Sequence, residues 1–591
     1  MGFPSNTASN AVIYVTYALF LFVSDLAYIF VLTANHQNRL MGTGIAWKMR
    51  NQSKADFLSG NGTQTGQKTP SYEMFVRGDK ATWAPLLTSI SIFSSAYKEH
   101  KLTTRIAFPL ALNFIASAQL RPLSTEPALG SGILFSYPEL ATISGVQGMI
   151  VYALASSLPM LIFGYLGPII RRRCPEGFVL TEWTRQRYGV ITMLYLSFMS
   201  LVTLFLYMVG ELSAIGQVVN AMTGLKPLPI MIVQCAVTTI YTSLGGFRIS
   251  FITDVAQGTM VIGLVIIAAI TIGAKTEIQR PLIEESGLTK SNLLGWQLLY
   301  ILPVAVLTND FFLSSFWLRT FASKTDKDLR IGTTIATIVI LCILTLVGST
   351  GLIAVWSGAL SLEDAAGSGS VAFFVLLETL PSWVVGIVLV MVVTMSTAAF
   401  DSLQSAMVSS GSNDLFRNKL NIWYIRAFVV LIIIPVIAIA LKAPSVLQIW
   451  LITDLISAAT IPVLVIGLVD KFYWWRGFEV VVGGLGGILT VFIFGCVYYG
   501  NAQEAGELLL VQKGLYGNDW SAFGAFVAAP VGSILWGCGA LALRLSYQYM
   551  SAKIRGHRFD ALDRPVDPRR SSTEEDVPTE NLVSSTPGKF F

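Results

Sequence analysis

Apolar residues run along this chain in long blocks separated by short polar stretches. Neither the alternation of a half-buried strand nor the one-sided stripe of a surface helix dominates. Most blocks approach or exceed the roughly 18–20 residues that carry a helix across a bilayer. In order they are Ala11–Thr33, an interrupted Ile106–Ile143, Val146–Ile170, Val190–Val219, Leu228–Leu244, Ile249–Ala274, Leu293–Trp317, Ile331–Trp356, Trp383–Ser409, Ile425–Ala440, Ser445–Val469, Phe478–Tyr499 and Phe523–Leu545. The pattern predicts an all-α polytopic membrane protein of about thirteen transmembrane helices. Residues 34–105 form a polar loop, and the proline-containing polar tail, 546–591, reads as disordered.

Two blocks are interrupted in a similar way, at Ala128–Pro138 and at Pro303–Asp310. Setting aside the N-terminal helix (11–33) and the C-terminal pair (478–545) leaves ten blocks, five in 106–274 and five in 293–469. Five is odd, so the halves must lie in opposite orientations. Paired interruptions at corresponding places point to a midplane site in an inverted-repeat transporter. Unwound backbone there offers carbonyls and helix ends that a continuous helix keeps for itself. A pair of ordinary proline kinks would give the same pattern.

Basic residues fix an orientation. Arg171, Arg172, Arg173, Arg185 and Arg187, then Arg248, then Arg319, Lys324, Lys327 and Arg330, then Arg417 with Lys419, and Lys471 with Arg476 all fall on one side if spans alternate. The opposite loop Ser357–Ser370 has two acids and no base. The basic side is therefore predicted to be cytoplasmic, with the N-terminus outside and the tail inside. The sequons at Asn51 and Asn61 then lie in the cytoplasm and should stay unmodified.

Composition narrows the class further. Apolar residues make up 53% of the 591 and charged residues 13%, with a net charge of +5. Because the bases sit in short loops, this balance does not signal nucleic-acid binding. Five scattered cysteines show no metal-ligand spacing and read as free thiols. Ala11–Thr33 contains Asp25 and lacks a basic leader, so it reads as a retained span rather than a signal peptide. No phosphate-binding GxxxxGK[ST] motif is present, which disfavours a pump driven by ATP. GGLGG at 483–487 reads as close helix packing, and Ser572 after two arginines would suit a regulatory, basic-directed kinase.

Chemistry concentrates at a few places. In Tyr241–Gly258, two glycines separate apolar helices, and Asp254 lies about one turn into the second. A carboxylate there needs a partner or a job. In Val392–Met407, Val393, Ser396 and Thr397 share a helix face. Two hydroxyls and a carbonyl suit a small hard cation; hydroxyls that bond back to their own helix are the alternative. Asp401 lies one turn further on the same face, either as a paired structural acid or as a proton carrier that replaces or accompanies sodium. Ser131, Asn309 and Asp310 at the interruptions are candidates for substrate contact or coupling. Glu211 and Asp454 are further intramembrane acids to which the sequence assigns no role.

The run Tyr241-Thr242, Gly245-Gly246, Thr253-Asp254 and Gln257 resembles the signature of the sodium:solute symporter family, and the likeness extends from about Ile106 to Leu468. Gly177–Gly189 resembles a loop of the fungal urea-transporter-like branch, and Ser315–Gly332 the family's basic loop. The resemblance implies a LeuT-like core of five plus five helices. It implies that Ser396, Thr397, the Val393 carbonyl and backbone near Ala116 and Leu129 hold Na+, with Asp254 taking part in coupling. It further implies symport of a small polar solute with Na+ or H+ across the plasma membrane by alternating access, without catalysis or a cofactor. Urea is the named candidate, and the lack of a core arginine mildly favours a neutral solute. An uncoupled facilitator or a nutrient sensor on the same scaffold are the rival readings. Two stretches, from Gln67 to about Arg105 and from Gln119 to about Pro127, have no counterpart in the family pattern and read as translated non-coding sequence.

Overall fold

A computed structural model describes residues 6–33, 130–173, 180–245, 247–322, 325–361, 369–416, 421–443, 445–512 and 519–559, with Lys419, Leu515, Leu562 and Phe590 as isolated positions. The described residues form helices and no strand: α1 (Asn6–Thr33), α2 (Ile133–Ser157), α3 (Pro159–Arg173), α4 (Leu180–Tyr188), α5 (Val190–Thr223), α6 (Pro227–Gly245), α7 (Phe247–Lys275), α8 (Arg280–Ser286), α9 (Leu293–Phe312), α10 (Ser314–Ala322), α11 (Asp326–Trp356), α12 (Ala372–Glu378), α13 (Ser382–Ser410), α14 (Ile422–Ala440), α15 (Val446–Val465), α16 (Gly477–Tyr499), α17 (Ala502–Leu509) and α18 (Ser521–Arg555). Nine of the helical runs among these residues are long and apolar enough to cross a membrane, or ten if the bent pair 260–275 and 280–286 forms one span. The thirteen-span expectation draws on α1 and on 106–129, of which the latter lies outside the described residues.

The run 133–172 counts 40 residues, about 60 Å if straight, twice the hydrocarbon thickness. It does not run straight. Gly145 has φ 66° and ψ −162°, a conformation that needs the missing Cβ. A Cβ there would also lie 2.2 Å from the Leu288 carbonyl oxygen. The rings of Tyr137 and Tyr152 stack at 3.9 Å, although residues fifteen apart on a straight helix would be separated by about 22 Å. The chain therefore reverses at Gly145, as the boundary between Ile143 and Val146 predicts, and 133–144 is a half-helix that returns into the next span.

The second interruption lies elsewhere than the sequence pattern places it. α9 runs without a break through Pro303 and Thr308–Asp310, and the helix ends at Leu313, whose ψ of 116° is extended. Proline's fixed φ is already helical, and in a membrane bundle neighbouring groups absorb its one missing bond. What opens the chain at Leu313 is capture of carbonyls from outside the helix. The Trp317 indole donates to the Phe311 oxygen at 2.7 Å, and Ser200 donates to that of Phe312 at 3.4 Å. Pro138 likewise lies inside α2, and the first interruption narrows to the turn Gly130–Gly132.

α2 packs against α9 and α11, α5 against α13 and α15, and α7 against α13. α1 lies against α6 and α13. The GGLGG glycines let α16 meet α18 closely: a Cβ on Gly483 or Gly487 would lie 2.7 Å or 2.8 Å from the backbone oxygen of Ser533 or Ala529. Polar contacts between loops sort into two faces. Arg172 with Asp326, Thr181 with Asp414, and Arg187 with the Phe472 carbonyl mark the basic face. Asn292 with the Ile143 carbonyl, Gln297 with that of Asp519, and Gln448 with that of Leu510 mark the other. Alternating spans from α2 onward require this sorting.

Candidate functional site

The sequence-predicted residues fall into three groups. The first lies on α13. Ser396, Thr397 and Asp401 have no exposed surface. Thr397 donates back to the Val393 carbonyl at 2.6 Å, the ordinary habit of a membrane threonine. The hydroxyl's own oxygen lone pairs stay open to a cation, whereas that carbonyl, inside a continuous helix, becomes a ligand only when the hydroxyl turns away from it. Ser396 accepts from the Gln234 amide at 2.7 Å, and the Gln234 oxygen accepts from Tyr17 of α1 at 2.9 Å. One turn further along, Thr242 donates to Asp401 at 2.5 Å, which makes that acid a partnered group between α6 and α13. Asp254 stands on α7, which packs against α13; its side chain, with Ala116 and Leu129, lies outside the described positions.

The second group surrounds the end of α9. Asn309 donates to Asp454 of α15 at 2.7 Å and to the Tyr207 hydroxyl of α5. Asp310 lies close enough to Asp454 for their charges to interact, and both act on Tyr207. The Tyr207 ring stacks on Trp450 at 6.2 Å. Thr308 and Ser457 share a hydrogen bond at 3.1 Å. Asn309, Asp310 and Asp454 are all buried. Tyr137 and Tyr152 of the α2 hairpin complete the neighbourhood, within electrostatic reach of Asp310 and Asp454 respectively.

The third group is the turn at Gly130–Gly132. Glu211 of α5 accepts from the Ser131 N–H at 3.0 Å, from the Ser131 hydroxyl at 2.8 Å and from the Gly132 N–H at 3.3 Å. A carboxylate thus covers the N-terminal end of the half-helix, where unpaired N–H groups favour negative charge. Gly130 permits this approach, since a Cβ there would meet the Glu211 carboxylate at 1.9 Å, and Gly132 permits packing against α15, since a Cβ there would meet the Trp450 ring at 2.5 Å.

Sequence reasoning singled out Ser131, Asn309 and Asp310 as candidates but left Glu211 and Asp454 without a role, and it passed over Tyr137, Tyr152, Tyr207 and Trp450. The available signal was the acids themselves, since a carboxylate inside a span marks function by default. Charge in the interior is one-sided. Among the residues whose side chains are described, the buried carboxylates and bases are Glu139, Glu211, Asp310, Asp401, Asp414, Asp454, Glu479 and a single base, Arg544. Arg544 is already paired with Glu479.

A helical bundle with paired discontinuities, buried acids and hydroxyls at its centre belongs to the class of inverted-repeat membrane transporters. Within it, the chain belongs to the sodium:solute symporter family, whose family model matches residues 125–479. It is 47% identical over 565 residues to the spermidine transporter DUR31 of Candida albicans, covering 95% of this chain and 94% of that one. It is also 26% identical over 125 residues to the urea-proton symporter DUR3 of rice, Oryza sativa subsp. japonica, covering 21% of this chain and 17% of the relative. A solved Na+-coupled sialic acid symporter in a substrate-bound outward-open state shares the fold, with a TM-score of 0.60 at 15% identity over 91% of this chain and 97% of that one.

Proposed function

We propose that this protein is a cation-coupled symporter of the plasma membrane that takes up a small organic cation of the polyamine class by alternating access. The observation that supports the substrate class is the pair Asp310 and Asp454 with Tyr207 and Trp450 beside it. Two carboxylates with no described buried base facing them offer charge to ammonium groups, and stacked aromatic faces add to the attraction. This replaces the expectation of a neutral solute: a missing arginine disfavours anions but does not distinguish neutral solutes from cations. The 47% identity to a spermidine transporter supports the same reading.

Coupling is assigned to Na+ at Ser396, Thr397 and the Val393 carbonyl, with Ala116, Leu129 and Asp254 as the family resemblance implies, or to H+ carried by Asp401 in place of or beside sodium. The basic face is taken as cytoplasmic, which places the N-terminus outside. A polyamine contributes to its own uptake, because each positive charge crossing 100 mV is worth about 2.3 kcal/mol. The test is uptake of labelled spermidine and labelled urea in a transport-null strain, with and without sodium, at two pH values. The expected result is saturable spermidine uptake that depends on an ion gradient and falls steeply in Asp454→Asn. Uptake of urea in preference to spermidine, or uptake indifferent to both gradients, overturns it.

A further inference from the structure

In inverted-repeat transporters a half-helix ending at the midplane points its positive terminus at anionic groups of the solute. Here that terminus is taken. The half-helix starting at Ile133 has its N-terminal end bonded to Glu211 through three donors. Glu211 lies twelve residues from the C-terminal end of α5, about 18 Å along the axis, which puts it at midplane depth. The carboxylate comes from a residue eighty positions away, although Ser131, the residue type preferred for capping, stands at the turn itself. The Ser131 hydroxyl is turned into a third donor to Glu211 instead of capping its own helix. Glu211 is only 2% exposed, and no described buried base neutralises it.

We infer that Glu211 determines specificity: it fills the anion seat of the half-helix with the protein's own carboxylate, so that the transport cavity refuses carboxylate-bearing solutes and stays acidic. The inference rests on the reading of a midplane cavity between the two discontinuous helices. A carboxylate solute reaching Ser131 and Gly132 would have to displace a side chain that already makes every bond the seat offers. Two like charges at one seat are mutually excluded as well. A solute with amine groups meets neither obstacle.

The test uses the full chain, purified in detergent for thermal unfolding and reconstituted into sealed lipid vesicles for labelled spermidine uptake. Glu211→Ala should unfold at a lower temperature than wild type and regain several degrees in millimolar formate, which is small enough to refill the seat. Glutamate, whose body would project from the seat into the cavity, should also stabilise this variant and should block its spermidine uptake. Wild type and Glu211→Gln, where the seat stays filled, should respond to neither anion. Should the alanine variant fail to fold, Glu211→Ser carries the same readouts with a smaller vacancy. Indifference of the vacated seat to formate overturns the inference. So does formate rescue without any block by glutamate, which would make Glu211 a structural cap only. Absence of spermidine uptake in wild type would strike the polyamine reading instead, because the thermal response to formate and glutamate is read without transport.

Discussion

Arg544 and Glu479 form an ion pair at 2.5 Å with both side chains wholly removed from solvent. The pair is held from both sides. Arg544 also donates to the Trp474 carbonyl at 2.7 Å and to Gln548 at 3.1 Å, while the other Glu479 oxygen accepts the Arg476 N–H at 3.0 Å. It therefore ties α18 to the start of α16, outside the ten-helix core. Removing one partner strands a buried charge, which costs about 3–5 kcal/mol, whereas an apolar pair of similar volume can be neutral. Arg544→Ala and Glu479→Ala should each lower the unfolding temperature sharply, and the double change Arg544→Met with Glu479→Leu should recover most of the loss. Equal instability of the double variant would show that the remaining bonds, not the charge pair, hold the two helices.

Helix packing around the half-helix sets a second expectation. A Cβ on Gly351 of α11 would lie 2.4 Å from the Pro138 carbonyl oxygen and 2.8 Å from its Cα. Backbone cannot yield as a flexible side chain does, so Gly351→Ala should cost about 1–3 kcal/mol. Gly263 of α7 has nothing within 4 Å of the same position. Gly263→Ala should be neutral or stabilise by up to about 1 kcal/mol through helix propensity. Thermal unfolding of the two variants side by side checks both, and a tolerated Gly351→Ala would mean that α11 and α2 pack more loosely than described.

How much of this was readable in the chain depends on the range of the interaction. Span positions follow from block length, and the reversal between Ile143 and Val146 lies at the polar Ser144-Gly145 pair that the block pattern left unassigned. The close contact of α16 and α18 was legible because five residues of one helix, Gly483–Gly487, include four glycines. The second discontinuity was misplaced by several residues because prolines mark kinks in a sequence, while the actual opening at Leu313 depends on Trp317 and Ser200 taking carbonyls. Glu211 and Asp454 could be seen as costly acids but not matched to partners. Glu211 meets Ser131 across eighty residues and Asn309 meets Asp454 across 145, and no periodicity encodes such pairings. Of the proposed sodium ligands, Val393, Ser396 and Thr397 lie on α13 against α6 and α7, and Ala116 and Leu129 lie outside the described residues.

Ser396 and Thr397 should separate in a predictable way. If both hydroxyls ligate the coupling ion, Ser396→Ala and Thr397→Ala each raise the sodium concentration for half-maximal uptake, about tenfold for each 1.4 kcal/mol of lost ligation. Stability should respond differently. Thr397 bonds only to its own helix in the described contacts, so its loss leaves the Val393 carbonyl in an intact helix and abundance unchanged. Ser396 accepts from Gln234, and its removal leaves a buried donor unsatisfied at about 1–3 kcal/mol. Because the Gln234 oxygen also accepts from the buried Tyr17 hydroxyl, Gln234→Leu and Tyr17→Phe together with Ser396→Ala should restore that stability without restoring ion dependence. Unaltered sodium dependence in both single variants, at normal surface expression, removes the ion site from α13.

The remaining expectation concerns the stretches 67–105 and 119–127, which lie outside the described residues. The second, Gln119–Pro127, reads QLRPLSTEP and falls within the interrupted block Ile106–Ile143. Deleting it joins Ala118 to Ala128 and leads directly into the Gly130–Gly132 turn that Glu211 covers. Retained at helix depth, Arg121 alone would cost at least about 2.5–3.5 kcal/mol on insertion scales, and Pro122 and Pro127 each remove a helix donor. We propose that both stretches are translated non-coding sequence and that the working transporter lacks them. Sequencing the transcript is expected to show a message without either. A chain lacking both should reach the membrane in greater amount, unfold at a higher temperature and take up spermidine at least as fast as the full-length chain. A transcript that contains both, together with equal uptake by the two forms, would mean that Gln119–Pro127 is a genuine re-entrant loop lining the cavity. The backbone ligands near Ala116 and Leu129 would then have to be reassigned to residues that such a loop brings to Ser396 and Thr397.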